Sequence, residues 1–278
     1  MPTPIITLTT DFGKKDHFAG AVKGAIYKEL PDAKVIDISH DVSPFNIQEA
    51  AYIIQNAYKS FPAGSIHIIG IDAELTPENR HIALKMDGHY FICANNGIVS
   101  MISSEFVAEK MVEINIHNTM QTSFTVLDVF VKVACHIARG GTLDVIGKQA
   151  KEIKQLTTIK PSINTEGNQI IGNVIYIDNY GNVVTNITRK LFDEIGKTRS
   201  FEISVRNHRF TKIYNNYSDF VNFDIPINER QVDGSGLIVF NSASFLEVAI
   251  YKSNPMTVGG ASSLYALDYR DTITINFS

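Results

Sequence analysis

Two aspartates stand in the loop that follows the first strong strand signal of the chain. Ile5 to Thr9 is a short apolar and β-branched run typical of a buried strand, and Asp11 and Gly13 end it. Asp16 follows five residues after Asp11. Open α/β sheets bind ligands beyond the carboxyl ends of their strands. Carboxylates there can accept ribose hydroxyls or neutralise an ammonium group, although the same residues serve equally well as turn and helix-cap residues.

The elements around this loop predict an α/β domain with a mainly parallel sheet. We expect helices over 17–30 and 47–60, and further strands over 33–39 and 65–71. This β-α-β-α-β order implies right-handed crossovers and a sheet covered by helices. Further elements expected in this domain are a hairpin over 82–93 and helices over 98–102 and 127–139.

The hydrophobic period changes in the last third of the chain. Residues 158–168 are rich in Pro, Ser, Asn and Gly and predict a linker. Short strand signals follow, beginning with a hairpin whose turn contains Asn179, Tyr180 and Gly181. We therefore predict an α/β domain over 1–157 and a smaller all-β, barrel-like domain over 169–278.

Composition excludes several classes of function. The 278 residues carry a net charge of −4 and no basic stripe, so no nucleic-acid partner is expected. No apolar run is long enough to span a bilayer, and the amino terminus has no basic leader, so we expect a cytoplasmic protein without a membrane partner. Cys93 and Cys135 have apolar neighbours and are expected to be reduced core residues. No His/Cys cluster has the spacing of a zinc site, so no metal is expected.

The motif TDFGKKD at residues 10–16 resembles the opening motif T-D-x-G-x-x-D of the S-adenosylmethionine (SAM) hydrolases, or SAM hydroxide adenosyltransferases, and of the related fluorinase and chlorinase. The resemblance implies that Asp11 holds the adenosine ribose and that Asp16 contacts the methionine ammonium. Family members have the same two-domain layout and form homotrimers in which the ligand lies between domains of neighbouring subunits. SAM would then be the substrate, with no further cofactor.

Two more segments carry this resemblance into the ligand site. Phe45 matches an aromatic residue beside the ligand, where a cationic sulfur favours a ring face; a core aromatic after a turn is the alternative. Asp178, Tyr180 and Asn182 match an acid, an aromatic and an asparagine that relatives supply from the neighbouring subunit. Any tight hairpin also needs such polar turn residues.

The segment NSASFLEVA at residues 241–249 resembles the family pattern N-S-x-x-x-L-E-I-A. In relatives the backbone of this turn binds the adenine, which implies a ligand contact at Ser242. Glu247 is expected to stabilise the turn instead.

The resemblance weakens at the catalytic centre. Hydrolases of the family hold a water with an aspartate, an arginine and a histidine. Asp72 stands at the aspartate position, but Asn79 and Thr125 stand at the arginine and histidine positions. We expect Asp72 to orient the water, with Arg80 a candidate to replace the missing guanidinium. Whether Asn79 and Thr125 can support a water decides between turnover and binding alone.

Two histidines are candidates for a relocated base, namely His81 and His136, and for each a structural role is the preferred interpretation. The resulting hypothesis is an enzyme that hydrolyses SAM to adenosine and L-methionine by attack of an activated water at the ribose C5′. The alternative is a catalytically degenerate SAM- or adenosine-binding protein without turnover. A purely structural trimer would require Asp11, Asp16 and Asp178 to be mere turn residues.

Overall fold

The computed structural model describes residues 3–103, 108–116, 122–150, 152–230 and 233–278. The chain divides into two compact units, Met1–Thr157 and Thr158–Ser278.

The first unit is built on a seven-stranded mixed sheet with the order β2-β1-β3-β5-β4-β6-β7. β1 lies between β2 and β3 and is parallel to both, and β3 is parallel to β5. β4, β6 and β7 extend the sheet by antiparallel pairing. The strands are β1 (Ile5–Thr10), β2 (Lys34–Ser39), β3 (Ile66–Gly70), β4 (His81–Met86), β5 (His89–Ala94), β6 (Lys110–Ile114) and β7 (Gly147–Gln149).

Helices cover both faces of this sheet because alternate strand residues point to opposite sides. On β3, Ile68 packs in a core with α1 and α4, whereas Ile69 packs in a core with α2 and α3. A π-helical turn over Val126–Phe130 leads directly into α4. The helices are α1 (Phe18–Glu29), α2 (Ile47–Ala57), α3 (Ile98–Ile102), α4 (Val131–Ala138) and α5 (Leu143–Ile146).

The second unit is a nearly closed antiparallel barrel with its own core. Its strand order is β12-β11-β15-β9-β10-β14-β13, and β8 pairs with β9. The elements are β8 (Ser162–Ile163), β9 (Gln169–Ile177), β10 (Val183–Thr188), α6 (Arg189–Gly196), β11 (Phe201–Val205), β12 (His208–Phe210), β13 (Gly236–Phe240), β14 (Phe245–Ile250), α7 (Ala261–Leu264) and β15 (Thr272–Phe277).

The predicted fold class, an α/β domain followed by a smaller barrel-like domain, is confirmed. The sheet has a larger antiparallel part than the β-α-β-α-β pattern indicated, because β6 and β7 extend it beyond β4. Cys93 and Cys135 are free and buried, as predicted. Within the described residues, no helix is long and apolar enough to cross a membrane.

A chain of buried polar side chains crosses one face of the parallel strands. His67 Nδ1 lies 2.7 Å from Thr7 Oγ1, and His67 Nε2 lies 3.1 Å from His89 Nδ1. The His67 ring also stacks on Phe91, with centroids 4.8 Å apart. Burial, with His89 nearby, lowers the pKa of His67 to about 3, and burial also lowers the pKa of His89.

We expect these two histidines to make the protein acid-labile. Their folded pKa values lie below the unfolded value, so the unfolded chain binds more protons as the pH falls from about 6.5 towards 3. Each extra proton lowers the free energy of unfolding by about 1.4 kcal/mol per pH unit. Urea unfolding between pH 7 and pH 4 should therefore show a smaller loss of stability in His67→Gln than in the wild type. The exposed His17→Gln variant is the control, and equal slopes in all three proteins would contradict this account.

Candidate functional site

The loops that follow β1 and β2 are joined by hydrogen bonds at the carboxyl edge of the parallel strands. Asp11 Oδ2 accepts a hydrogen bond of 2.9 Å from the backbone N–H of Phe45. The N–H of Gly13, whose φ is 67°, donates to the carbonyl oxygen of His40 over 2.7 Å. Asp11 is therefore fixed by the fold rather than free in a surface turn.

Phe45 is held in an unusual conformation. Its φ is 61°, a left-handed value that is a genuine outlier for a bulky residue. The side chain is 72% exposed, which excludes the core aromatic that the sequence left open. Strain of this kind persists where surrounding contacts fix it and is concentrated at binding sites.

Asp72 lies in the loop after β3 and has a φ of 45°. The Asn96 side-chain amide donates to the carbonyl oxygen of Ile71 over 3.0 Å and holds this backbone. The Asp72 carboxylate has a partner of its own, since Asn79 Nδ2 lies 3.3 Å from Asp72 Oδ2. Two of the four proposed catalytic residues are thus in contact.

These loops surround an open cleft with a volume of about 760 Å³. Gly70 forms part of its floor, and a Cβ there would lie 3.0 Å from Val126 Cγ2 and 3.1 Å from Thr10 Cγ2. Phe12 and Phe124 form an aromatic wall, with ring centroids 5.5 Å apart. The lining residues are Asp11, Phe12, Pro44, Phe45, Gly70, Asp72, Ala73, Glu74, Leu75, Thr122, Ser123, Phe124, Thr125 and Val126.

The cleft brings carboxylates together where they are partly buried from solvent. Burial raises the pKa of Asp11 above its usual value, the charge of Asp72 adds to the increase, and the hydrogen bond from Phe45 opposes it. Glu74 also lines the cleft. A cationic ligand beside these acids would relieve the repulsion between them, so the electrostatics favour a positively charged guest with an apolar part.

Thr125 lines the cleft, but three other sequence-predicted residues of this unit, Asp16, Asn79 and Arg80, do not. Asn79 reaches the cleft only through its contact with Asp72. Thr125 precedes the π-helical turn, at the start of the helix that continues into α4. Asp16 is exposed in the loop before α1 and does not line the cleft. Arg80 lines a separate cavity of about 470 Å³, where its Nε lies 4.0 Å from Glu113 Oε1.

The two candidate histidine bases bind backbone carbonyl groups. His81 is fully buried, and its Nε2 lies 3.0 Å from the carbonyl oxygen of Ala73. His136 Nε2 lies 3.0 Å from the carbonyl oxygen of Thr142. These contacts support the structural roles that the sequence favoured.

In the second unit, Asp178 organises the turn between β9 and β10. Its Oδ1 accepts hydrogen bonds of 2.8 Å from the N–H groups of Tyr180 and Asn182, and its Oδ2 accepts one of 3.0 Å from Asn182 Nδ2. Burial raises the pKa of Asp178. The Tyr180 side chain is 62% exposed. Asn182 is buried, and its Oδ1 has no hydrogen-bond partner among the described residues and almost no accessible surface.

The turn between β13 and β14 depends on Glu247. This buried carboxylate accepts hydrogen bonds from the Tyr217 hydroxyl over 2.6 Å and from Asn241 Nδ2 over 3.1 Å. Asn241 Oδ1 in turn accepts from the N–H of Ala243 over 3.0 Å. Ser242, the predicted ligand contact, is exposed in this turn.

The described residues contain no group of three or more His, Cys, Asp or Glu side chains that could hold a metal ion.

The sequence did not predict two features of the cleft, namely the aromatic wall of Phe12 and Phe124 and the floor at Gly70. The Phe at the third position of the TDFG motif was the one available signal, because it must follow Asp11 into the same loop.

Known proteins and family models match this chain over nearly its whole length. Residues 6–147 match the model of the SAM hydroxide adenosyltransferase N-terminal domain, and residues 172–274 match that of the C-terminal domain. A protein of Methanocaldococcus jannaschii named (R)-S-adenosyl-L-methionine hydrolase is 29% identical, with 98% of this chain and 95% of that protein covered. A fluorinase of Actinopolyspora mzabensis is 22% identical, with coverages of 88% and 90%.

A solved structure is also similar. The crystal structure of an uncharacterized conserved protein from Thermotoga maritima superposes with a TM-score of 0.80 at 27% identity, over 98% of this chain and 99% of that one.

We expect Asp11→Asn to preserve the fold and to raise stability at neutral pH. The raised pKa of Asp11 means that ionisation opposes folding, so the wild-type carboxyl is most favourable when protonated and loses that advantage as the pH rises. An asparagine oxygen can still accept the Phe45 N–H. The urea midpoint of the variant should exceed that of the wild type at pH 7, and the gain should shrink at pH 4. Exposed Asp16→Asn serves as the control, and a gain that grows on acidification would show that the sign is wrong.

Proposed function

Because this chain belongs to the SAM hydroxide adenosyltransferase family, we propose that it binds S-adenosyl-L-methionine and hydrolyses it to adenosine and L-methionine. The single observation that carries the proposal is the meeting of Asp11, Phe45 and Asp72 around one cleft at the carboxyl edge of the parallel strands. These three residues come from loops after three different strands.

Each of the three residues has a distinct role in this proposal. Asp11 keeps one oxygen on the Phe45 N–H, and a carboxylate has enough lone pairs to accept ribose hydroxyls as well. The exposed ring of Phe45 offers a face to the sulfonium. Asp72 holds the attacking water, and both carboxylates favour the cationic substrate over its neutral products.

The reaction is an in-line displacement at the ribose C5′. The water oxygen forms a bond to C5′ while the C5′–S bond breaks, and the electron pair of that bond goes to sulfur, which leaves as the neutral thioether of methionine. The water loses one proton, which passes by way of Asp72 to solvent. A sulfonium needs no acid to leave, so positioning, desolvation and one oriented water supply the catalysis.

The residues at the family arginine and histidine positions set the expected rate. Asn79 donates to Asp72 but carries no charge, and Thr125 offers a hydroxyl in place of an imidazole. Loss of a general base typically lowers a rate by about 10²- to 10⁴-fold. We therefore propose a slow hydrolase. These same two residues support the second candidate, a SAM- or adenosine-binding protein without turnover.

We further propose that the second half of the site comes from another copy of the chain, within a homotrimer. The feature that supports this is the exposed Tyr180 ring at the β9–β10 turn. The ring would stack on the ligand, and Asn182, as the family resemblance implies, would contact the adenine or the amino-acid end of the ligand. Asp178 holds this turn in shape, and the turn that carries Ser242 would meet the adenine.

Turnover of SAM in H₂¹⁸O tests the chemistry directly. We expect the purified protein to release adenosine carrying ¹⁸O at its 5′-hydroxyl, because water attacks C5′. Asp72→Asn should lower that release by about 10²-fold or more while SAM still binds in calorimetry. Asp32→Asn, at an exposed turn between α1 and β2, is the matched control.

The two candidate functions separate in this experiment. Binding without ¹⁸O-adenosine above the blank would establish the binding protein and end the hydrolase proposal. Failure to bind both SAM and adenosine would remove both candidates.

Mixing two inactive variants tests the shared site. Asp11→Asn and Tyr180→Ala should each lower turnover, since each removes one half of the site. In randomly mixed trimers, about one quarter of the interfaces combine an intact Asp11 with an intact Tyr180. Co-refolded variants should therefore recover about a quarter of the wild-type activity. Activity no higher than the average of the two separate variants would contradict a site shared between copies.

A further inference from the structure

We propose that Lys154 is a positioning residue that acts through Asn79 on the Asp72 carboxylate, an inference that rests on the proposed function of Asp72. Lys154 Nζ lies 3.3 Å from Asn79 Oδ1, and Asn79 Nδ2 lies 3.3 Å from Asp72 Oδ2. Cation, amide and carboxylate thus form one chain of hydrogen bonds that ends at the cleft.

The cation decides which way the amide of Asn79 faces. An amide side chain offers a carbonyl oxygen on one side and two N–H donors on the other. The orientation with Oδ1 towards Lys154 and Nδ2 towards Asp72 satisfies both neighbours. The reverse orientation would place N–H groups against an ammonium and an oxygen against a carboxylate. Lys154 therefore keeps a donor of Asn79 directed at Asp72.

The backbone at both ends of this relay is held by two consecutive asparagines. Asn96 donates to the carbonyl oxygen of Ile71, directly before Asp72, over 3.0 Å. Asn95 Oδ1 accepts a hydrogen bond of 2.8 Å from the N–H of Lys154. The backbone next to the carboxylate and the backbone of the lysine are thus both hydrogen-bonded to the same short turn after β5.

The segment that carries Lys154 has one more attachment to this turn and one to α3, the helix that follows it. The Asn95 amide donates to the carbonyl oxygen of Glu152 over 3.2 Å, and Ser100 Oγ accepts from the N–H of Leu156 over 3.1 Å. Gly97 has a φ of 103°, and a Cβ there would lie 2.3 Å from Leu156 Cγ, so the leucine packs directly on the glycine. These contacts fix the position of the Lys154 backbone relative to Asn95.

The middle of the relay is held as well. The Asn79 N–H donates to Thr76 Oγ1 over 3.0 Å, which closes the loop between Asp72 and β4. Asn79 stands where the family has an arginine, and the neutral amide cannot supply that positive charge. Lys154 supplies it one hydrogen bond further from the carboxylate, from a segment 75 residues away in sequence.

This arrangement predicts an effect on kcat with little effect on KM. Lys154→Met should lower kcat about tenfold to a hundredfold, because Asn79 then no longer keeps Asp72 in place for the water. The KM for SAM should stay near the wild-type value, since the hydrogen bonds of Lys154 among the described residues go to Asn79 and Asn95, neither of which is proposed to bind the ligand. Lys154→Arg should restore most of the loss, because a single donor to Oδ1 suffices and the contact is neither bidentate nor stacked.

A double-mutant cycle separates a relay from two independent effects. Asn79→Leu should lower kcat at least as much as Lys154→Met, and the double variant should be no slower than Asn79→Leu alone. Lys28→Met, which removes one exposed positive charge from α1, is the matched control and should leave kcat unchanged. Wild-type kcat in Lys154→Met, or effects that multiply in the double variant, would overturn the proposal.

The relay is also tested without turnover, so that its failure is distinct from failure of the proposed function. The urea midpoint of the double variant should fall by less than the sum of the two single shifts, since the contact can be lost only once. Additive shifts would overturn the relay whether or not the protein hydrolyses SAM. A wild type without adenosine release, by contrast, contradicts the hydrolase itself.

Discussion

A hydrogen bond from a backbone N–H to a carboxylate holds the cleft together. Asp11 is half-buried beside a second acid, where its charge is costly, and the Phe45 N–H provides one of the donors that water would otherwise offer. The same bond fixes the loop after β2 against the loop after β1. Together with the hydrogen bond from the Gly13 N–H to the His40 carbonyl oxygen, this contact sets the position of the aromatic ring beside the Asp11 carboxylate.

The parallel strands explain why acids from distant parts of the sequence meet. β1 and β3 are neighbours and run the same way, so their carboxyl ends open into one edge, and Asp11 and Asp72 follow those ends. The hydrophobic period predicted these strands well, because buried parallel strands have nearly continuous apolar runs. It missed β6 and β7, which are short and partly exposed at the sheet's antiparallel side.

Only part of the candidate site could be predicted from the sequence, because the rest depends on the conformation of loops. The sequence predicted the position of Asp11 and Asp72 at the edge of the sheet, because each directly follows a strand signal, and both line the cleft. The left-handed backbone of Phe45 and the contact between Asn79 and Lys154 depend on loop conformation and on segments far apart in the chain. No local pattern encodes either. The exposed surroundings of Asp16 and the pairing of Arg80 with Glu113 are likewise properties of folded loops.

The position of Lys154 near the end of the first unit has a consequence for biosynthesis. A chain grows from its amino terminus, so Asp72 and Asn79 leave the ribosome long before Lys154 does. The sheet that carries them can pair up to β6 in that interval, since every strand of that set ends by residue 114. The turn at Asn95 and Asn96 is synthesised in the same interval, and the segment around Lys154 binds to it later. The nascent chain can therefore form most of its first-domain sheet before Lys154 reaches Asn79, and this hydrogen bond is made by a segment close to the end of the first unit.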